Sequence, residues 1–250
     1  MILVVDCGNT YSNLALFVSD KKYQKFSIAS KLINSENSFD SIFEKIKKLG
    51  EVTTVLISSV IPSKNSIVER AFAKITHSVF FVSNIRSDLG ISYKIDNLNE
   101  LGDDRVANSF FAVNNFQTSV IVIDFGTATT YDFINSNSEY LGGAIIPGIR
   151  LGIESLAEKT ENLSNIKFYN IDNLIGKNTN DAICAGILYS NLGAIEYIYK
   201  QGCNLLGCDL KVVATGGFGE VIMKKNTVIE YYDPDLTLKG LHQIAKNKLI

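Results

Sequence analysis

Apolar residues recur along this chain at two spacings, and the changes between them mark its elements. Ile2 to Asp6, Asn13 to Val18 and Tyr23 to Ala29 carry the short apolar runs of strands, with the polar turn SDKK between the second and third. Phe39, Ile42, Phe43, Ile46 and Leu49 then fall at helical spacing. The β-rich stretch TTVLISSV follows, Pro62 opens a second helix over SKNSIVERAFAKI, and SVFFVS supplies another strand. Strands first, then helix and strand in alternation, predict a mixed sheet covered by helices.

From about Ser119 this order restarts with the strand SVIVID, a Gly-Thr turn, the strand TTYDFI, the polar turn NSNSE and the strand YLGGAII. Helices are expected at Ile149 to Glu158 and at Asp181 to Tyr199, the second through Ile183, Ile187, Leu188, Leu192 and Ile195. LKVVATGG reads as a further strand ending in glycines, and a last helix begins near Pro234. The two halves start alike, so the chain is expected to form two lobes, 1–117 and 118–250, with the boundary near Phe116 to Thr118. No Pro/Ser-rich linker separates them, and two lobes sharing an interface need none.

Composition narrows the class. The 250 residues are 46% hydrophobic, enough for a buried core, and 24 basic against 26 acidic side chains leave no basic excess for nucleic acid or anionic lipid. A small-molecule partner is expected instead. The four cysteines, Cys7, Cys184, Cys203 and Cys208, form no CxxC pair and read as free thiols of a reducing compartment. No basic segment precedes a long apolar stretch at the N-terminus, where Asp6 interrupts the only candidate, and no run reaches the ~18 apolar residues of a membrane helix. A soluble cytoplasmic protein without a membrane partner is expected.

The common nucleotide and hydrolase signatures GxxxxGK[ST], GxGxxG, GxSxG and HExxH are absent, and the two histidines, His77 and His242, lie far apart among ordinary fold elements. The positive signal is a repeated strand-to-turn element, VVDCGNT at Asp6 to Thr10 and VIDFGTATT at Asp124 to Thr130. In each, a buried strand carries an Asp to its end, a Gly two residues on lets the backbone approach a ligand, and a Thr hydroxyl follows. Such a turn offers N–H groups to phosphate oxygens while the Asp holds a cation. One copy alone would read as a β-hairpin, since Asp, Asn and Gly also make tight turns. Two copies, each opening a half, favour a phosphate site. VVATGGFGE sets Gly216, Gly217 and Gly219 after another strand, where a flat base or ribose can lie, or the chain simply turns. In LGDDRVANSFFAVNNF, Asp103 or Asp104 caps a helix or, beside Arg105, serves chemistry: Asp accepts a proton from a hydroxyl while Arg binds a carboxylate in a bidentate fork.

Taken in order, DCGNT, LGDDR, VIDFGTATTYD, GGAIIPGI, VATGG and DPDLTLKGL resemble the type III pantothenate kinases, members of the superfamily of acetate and sugar kinases, Hsp70 and actin. The similarity runs nearly end to end. It implies an α/β fold of two similar actin-like, ribonuclease H-like lobes, each a mixed sheet flanked by helices, with the active site in the cleft between them. It also implies phosphorylation of the primary hydroxyl of pantothenate by ATP with Mg2+, the first step of coenzyme A synthesis, and a requirement for K+ or NH4+. Carried over by motif, Asp6, Cys7, Gly8, Asn9, Thr10, Tyr11, Ser12 and Asn13 form the first phosphate loop, and Thr127 contacts ATP in the second. Asp124 resembles the monovalent-cation ligand and Asp104 the proton acceptor. Gly102, Asp103, Asp104 and Arg105 match the pantothenate-binding segment, with Arg105 suited to the carboxylate. Thr179 matches a threonine that family members contribute to the neighbouring subunit's pocket, which implies a homodimer.

Two positions depart from the family pattern. An aromatic is usual seven residues before the Gly of GxDR, where this chain has Ile95; Tyr93, two earlier, shares its strand face and takes the substrate role instead. Asn97 is followed by Leu98 rather than proline. Two rival readings stand beside the kinase: an enzyme of the same superfamily acting on another hydroxy acid or sugar, against which GxDR weighs, and a non-catalytic nucleotide-binding regulator. A pure binding module needs no base beside an acceptor, and this chain keeps Asp6, Asp104, Arg105 and Asp124.

Overall fold

In the computed structural model, which describes residues 1–159, 166 and 168–250, the strand that opens the chain becomes the centre of a sheet. β1 (Ile2–Cys7) pairs antiparallel with β2 (Tyr11–Ser19), which pairs antiparallel with β3 (Lys22–Ala29). After α1 (Asp40–Lys47) the chain returns as β4 (Thr54–Ser59), parallel to β1, and after α2 (Asn65–Phe72) as β5 (Val79–Phe81), parallel to β4. The order is therefore β3-β2-β1-β4-β5. Leu3, Val4 and Val5 are wholly buried because the central strand is covered on both faces, whereas edge strand β3 exposes Lys22, Gln24 and Lys25. Beneath the sheet, Phe72 packs against Phe39 and Phe43 at centroid distances of 5.0 and 5.3 Å. Each such ring contributes roughly 1.5–3 kcal/mol by burial.

The short α3 (Val82–Ile85), β6 (Ser92–Tyr93) and then α4 (Asp103–Asn115) complete the first stretch. SVFFVS is a strand only to Phe81, and the helix starting at Val82 takes its end.

The second unit repeats the plan. β7 (Val120–Phe125), β8 (Ala128–Ile134) and β9 (Glu139–Pro147) form an antiparallel meander, followed by α5 (Ile149–Lys159) and the 28-residue α6 (Thr179–Leu206). β10 (Lys211–Thr215) lies parallel to β7, and after α7 (Gly219–Met223) the short β11 (Tyr231–Tyr232) lies parallel to β10. These strands run β9-β8-β7-β10-β11, the order of the first sheet with each strand in the equivalent place. The α/β class with two mixed, helix-flanked, actin-like sheets is thus as expected. α6 extends beyond the expected Asp181 to Tyr199 because nothing breaks it until Gly207, whose φ of 65° ends the helix.

One expectation is corrected. The last helix, α8 (Leu236–Lys248), belongs to the first unit, which comprises Met1–Asn115 and Asp235–Ile250, and the second unit is Phe116–Pro234. The second lobe therefore does not run from 118 to 250. Two observations give the reason. Leu236, Leu241 and Ile244 are fully buried, and a Cβ on Gly240 would stand 2.2 Å from the Ala107 carbonyl oxygen of α4, so these two backbones cross in contact. Phe17 of β2 stacks on His242 at 4.0 Å, and Tyr23 Oη and Lys25 Nζ both donate to Asp235, each at 2.8 Å.

Candidate active site

The first phosphate-loop motif occupies the β1–β2 turn. Asp6 is half-buried at the end of β1, Gly8 is half-buried, and Asn9, Thr10, Tyr11 and Asn13 are exposed. The turn is fixed from behind: Gly8 N–H donates to Tyr11 O at 3.1 Å, Ser30 N–H to Thr10 O at 2.9 Å, and Ser30 Oγ to Gly8 O at 2.6 Å. A Cβ at Gly8 would come within 2.9 Å of Tyr11 O, which is why glycine is needed here. Cys7 and Ser12 differ from their neighbours. Both side chains are buried, and Ser12 Oγ lies 3.1 Å from Ser30 Oγ, so these two shape the turn from its inner side. Burial first and the Asp6 charge second push the Cys7 thiol up to about 12 against the opposing Ser12 hydrogen bond, which removes any thiolate chemistry at neutral pH. Asn13 Oδ1 accepts from Ser27 Oγ at 2.9 Å across β2 and β3.

The acceptor motif opens α4. Gly102 is half-buried, and a Cβ there would lie 2.5 Å from Asp104 Oδ1, so the carboxylate folds over the glycine. Asp104 and Arg105 are half-buried, and Asp104 Oδ1 accepts the Arg105 N–H at 2.8 Å. Asp103 points the other way. It is 4% exposed and accepts the backbone N–H of Ser59 at 3.3 Å and that of Ser83, and burial pushes its carboxyl up to about 6 despite those bonds and the Arg86 charge. Tyr93 is half-buried, and its hydroxyl is raised by burial against the pull of Arg86, with Asp103 acting in the same direction as burial. Arg86 in turn donates to Leu101 O at 3.2 Å and Asn99 Oδ1 at 2.7 Å. Asp103, Tyr93 and Arg86 thus lie within electrostatic reach of one another beside the start of α4.

In the second unit, Asp124 is half-buried near the end of β7 and Thr127 is exposed in the following turn. Gly216, with φ +88°, borders the carboxylate: a Cβ there would stand 2.6 Å from Asp124 Oδ1 and equally close to the Phe125 backbone. A Cβ on Gly126 would likewise stand 3.5 Å from Asp124 Oδ1. Of the glycines after β10 that sequence left ambiguous, Gly216 therefore opens space beside Asp124, whereas Gly219 makes room for the Tyr232 ring. Tyr232 Oη donates to Gly216 O at 3.0 Å and holds that turn. Thr179 is exposed at the first position of α6, where Asn178 Oδ1 accepts the Asp181 N–H at 2.9 Å as the cap.

Asp6 and the Gly102–Arg105 segment belong to the first unit, while Asp124, Thr127 and Thr179 belong to the second. Sequence reasoning missed Ser30, Ser58, Ser59 and Arg86. The two serines had a signal: TTVLISSV ends an otherwise apolar buried strand in hydroxyls, as VVD ends one in a carboxylate. Arg86 had none, since its partners are a backbone carbonyl and an amide brought close only by the fold. Among the described residues no cluster of three His, Cys, Asp or Glu could hold a metal by itself, and no helix is long and apolar enough to cross a membrane.

Comparison with known proteins adds the family. A family model described as Type III pantothenate kinase matches residues 2–201. The chain is 32% identical over 255 residues to a Type III pantothenate kinase of Bacillus cytotoxicus, covering 100% of this chain and 97% of that one. It is 35% identical over 254 residues to another from Desulforapulum autotrophicum, covering 98% and 96%. Among solved structures, a conserved Baf family protein from Campylobacter jejuni shares the fold with a TM-score of 0.62 at 21% identity, covering 99% of this chain and 98% of that one.

Proposed function

The chain belongs to the type III pantothenate kinases, and from that premise we propose how its residues divide the work of the reaction. The enzyme transfers the γ-phosphoryl group of ATP to pantothenate, the first step of coenzyme A synthesis, using ATP with a divalent cation. Asp104 takes the proton of the primary hydroxyl as that oxygen bonds to the γ-phosphorus and the bond to the ADP oxygen breaks. Arg105 grips the pantothenate carboxylate through its planar fork. Phosphoryl transfer asks the protein mainly for position and charge neutralisation. The observation that carries the reading is the start of α4, where Gly102 makes room for the Asp104 carboxylate immediately before Arg105.

The first phosphate loop, Asp6 to Asn13, and Thr127 hold ATP in this reading. The exposed Asn9 and Thr10 on a turn braced from behind by Ser30 suit backbone donation to phosphate oxygens. Mg2+ is the divalent ion, and when bound it neutralises charge on the phosphate oxygens. With no acidic cluster to hold it among the described residues, it would take phosphate oxygens and water as further ligands beside Asp6. Asp124 holds K+ or NH4+, a role supported by the room that Gly126 and Gly216 leave at its carboxylate. Tyr93 and Asp103 belong to the pantothenate side. Thr179 completes the pocket of a second copy in a homodimer, a reading supported by its exposure and by apolar Tyr197 and Leu205 standing 66% and 83% exposed on α6. The free thiols and the ATP requirement fit a cytoplasmic location.

A coupled ADP-release assay with MgATP and pantothenate, run in potassium and again in sodium buffer, tests this reading. Pantothenate-dependent turnover that needs potassium is expected. Turnover in both buffers removes the cation role of Asp124, and turnover in neither removes the residue assignment.

A further inference from the structure

The end of β4 lies between the two catalytic segments of the first unit and touches both. β4 is parallel to β1 with Ser58 in register with Asp6 and Ser59 with Cys7. Ser58 is wholly buried, and its hydroxyl donates to Asp6 Oδ1 at 2.9 Å. One residue on, the Ser59 N–H leaves the strand ladder and donates to Asp103 Oδ2 at 3.3 Å, while Ser59 Oγ donates to Asn65 Oδ1 at 2.6 Å and accepts from the Ile61 N–H at 3.2 Å. Val60 N–H donates to Cys7 O at 3.1 Å, so the strand end is also tied to the phosphate turn itself. On the far flank Arg86 clamps Leu101 and Asn99, directly before Gly102.

We propose that Ser58 and Asp103 are positioning residues of the phosphoryl transfer: Ser58 orients the Asp6 carboxylate, and Asp103 pins the Gly102–Arg105 segment to the next residue of the same strand. One rigid strand end then sets both catalytic carboxylates, Asp6 and Asp104, in the first unit. The inference rests on the roles given above to Asp6 and Asp104; Ser58 is new to the site, and Asp103 serves the pantothenate side by holding its segment in place rather than by touching substrate.

Packing alone does not account for either group. A strand as buried as Val55 to Ile57 would be served by an apolar residue at 58, yet a hydroxyl stands there facing a carboxylate. A buried carboxylate at 103, satisfied by backbone N–H groups, costs desolvation that a neutral side chain at the head of α4 would avoid. Both are explained if the alignment of Asp6 with the acceptor segment is what they serve, since small misplacements of reacting groups cost up to ~10²-fold in rate.

The test uses the full chain, with KM for ATP and pantothenate measured separately and nucleotide affinity measured directly by calorimetry with ATP. Ser58→Ala removes one oxygen from a site that keeps its shape, and is expected to weaken ATP affinity and raise its KM by roughly tenfold, with pantothenate KM unchanged. Asp103→Asn is expected to raise pantothenate KM or lower kcat by a similar factor, with ATP affinity unchanged. Ser58→Thr, which restores the hydroxyl, is expected to recover part of the Ser58→Ala loss. Unchanged parameters in either folded variant overturn the proposal. So does a uniform fall in all parameters that follows a lowered Tm, because general structural damage gives that pattern. If the unaltered chain turns over no pantothenate, the kinase roles of these residues fall, and the Ser58 arm still decides the brace through ATP affinity alone.

Discussion

Asp103 and Asp104 are adjacent in sequence and opposite in environment, and the difference decides what each can do. Asp104 lies half-buried over Gly102, where a base can meet a hydroxyl. A general base contributes ~10² to 10⁴ in rate, so Asp104→Asn is expected to lose turnover on that scale while ATP still binds; near-normal kcat would remove the residue from the role. Asp103 is raised by burial from its ordinary 3.8 to about 6. Between those values the folded chain keeps a proton that the unfolded chain has released, so its contribution to stability falls as pH rises through that window and is level above it. The gap of about two units is worth at most ~3 kcal/mol. Asparagine does not titrate, so the Tm of Asp103→Asn should gain on that of the parent between pH 4 and pH 7, and a gap constant with pH would refute the buried, protonated carboxyl. Sequence pointed to both aspartates as caps or catalysts, and could not separate them. What separates them is which N–H groups the fold aims at each, and Ser59 and Ser83 are distant in sequence.

Elements were legible where their apolar spacing was long or their strand runs short and clean. The six long strands of the two meanders were anticipated within two residues of their bounds, and α4 and α6 were anticipated in place, although α6 runs seven residues past the expected Tyr199. The two-residue strand β11 and the five-residue α7 were not, because elements that short carry no period to read. Nor did the periodicity of α8 say which unit it would join, since an apolar stripe names a face and not its partner. The answer lies in its crossing with α4 at Gly240. Alanine in a helix interior is ordinarily better than glycine by about 1 kcal/mol. Here the added methyl would meet the Ala107 carbonyl oxygen at 2.2 Å, a backbone atom that cannot swing aside. Gly240→Ala is therefore expected to destabilise by roughly 1–3 kcal/mol, the cost of forcing packed elements apart. Thermal or denaturant unfolding reads this directly, and a stabilised variant would mean that the two helices yield without cost.

At the scale of the molecule, the repeated Asp-x-Gly turn, with a threonine just after it, is the surface sign of a repeated sheet. Five strands recur in the same order and direction in the two sheets, each with the Asp of the motif next to last in its central strand. That much was visible because the motif and the strands around it recur in the same order. The discontinuity of the first unit was not visible, because the chain enters the second at Phe116 and returns at Asp235 without any change of composition. This insertion has a dynamic consequence. A helix whose apolar face is buried against its own unit opens with that unit, since breaking its contacts exposes the unit's core. Native-state hydrogen exchange on the full chain should thus find the amides of α8 around Leu241 and Ile244 opening with those of β1 and β4. α8 begins only four residues beyond the end of β11, yet it should not follow β10 and α6. Exchange of α8 in step with the second unit would show that sequence proximity, rather than the crossing at Gly240 and the stack of His242 on Phe17, governs how this enzyme unfolds.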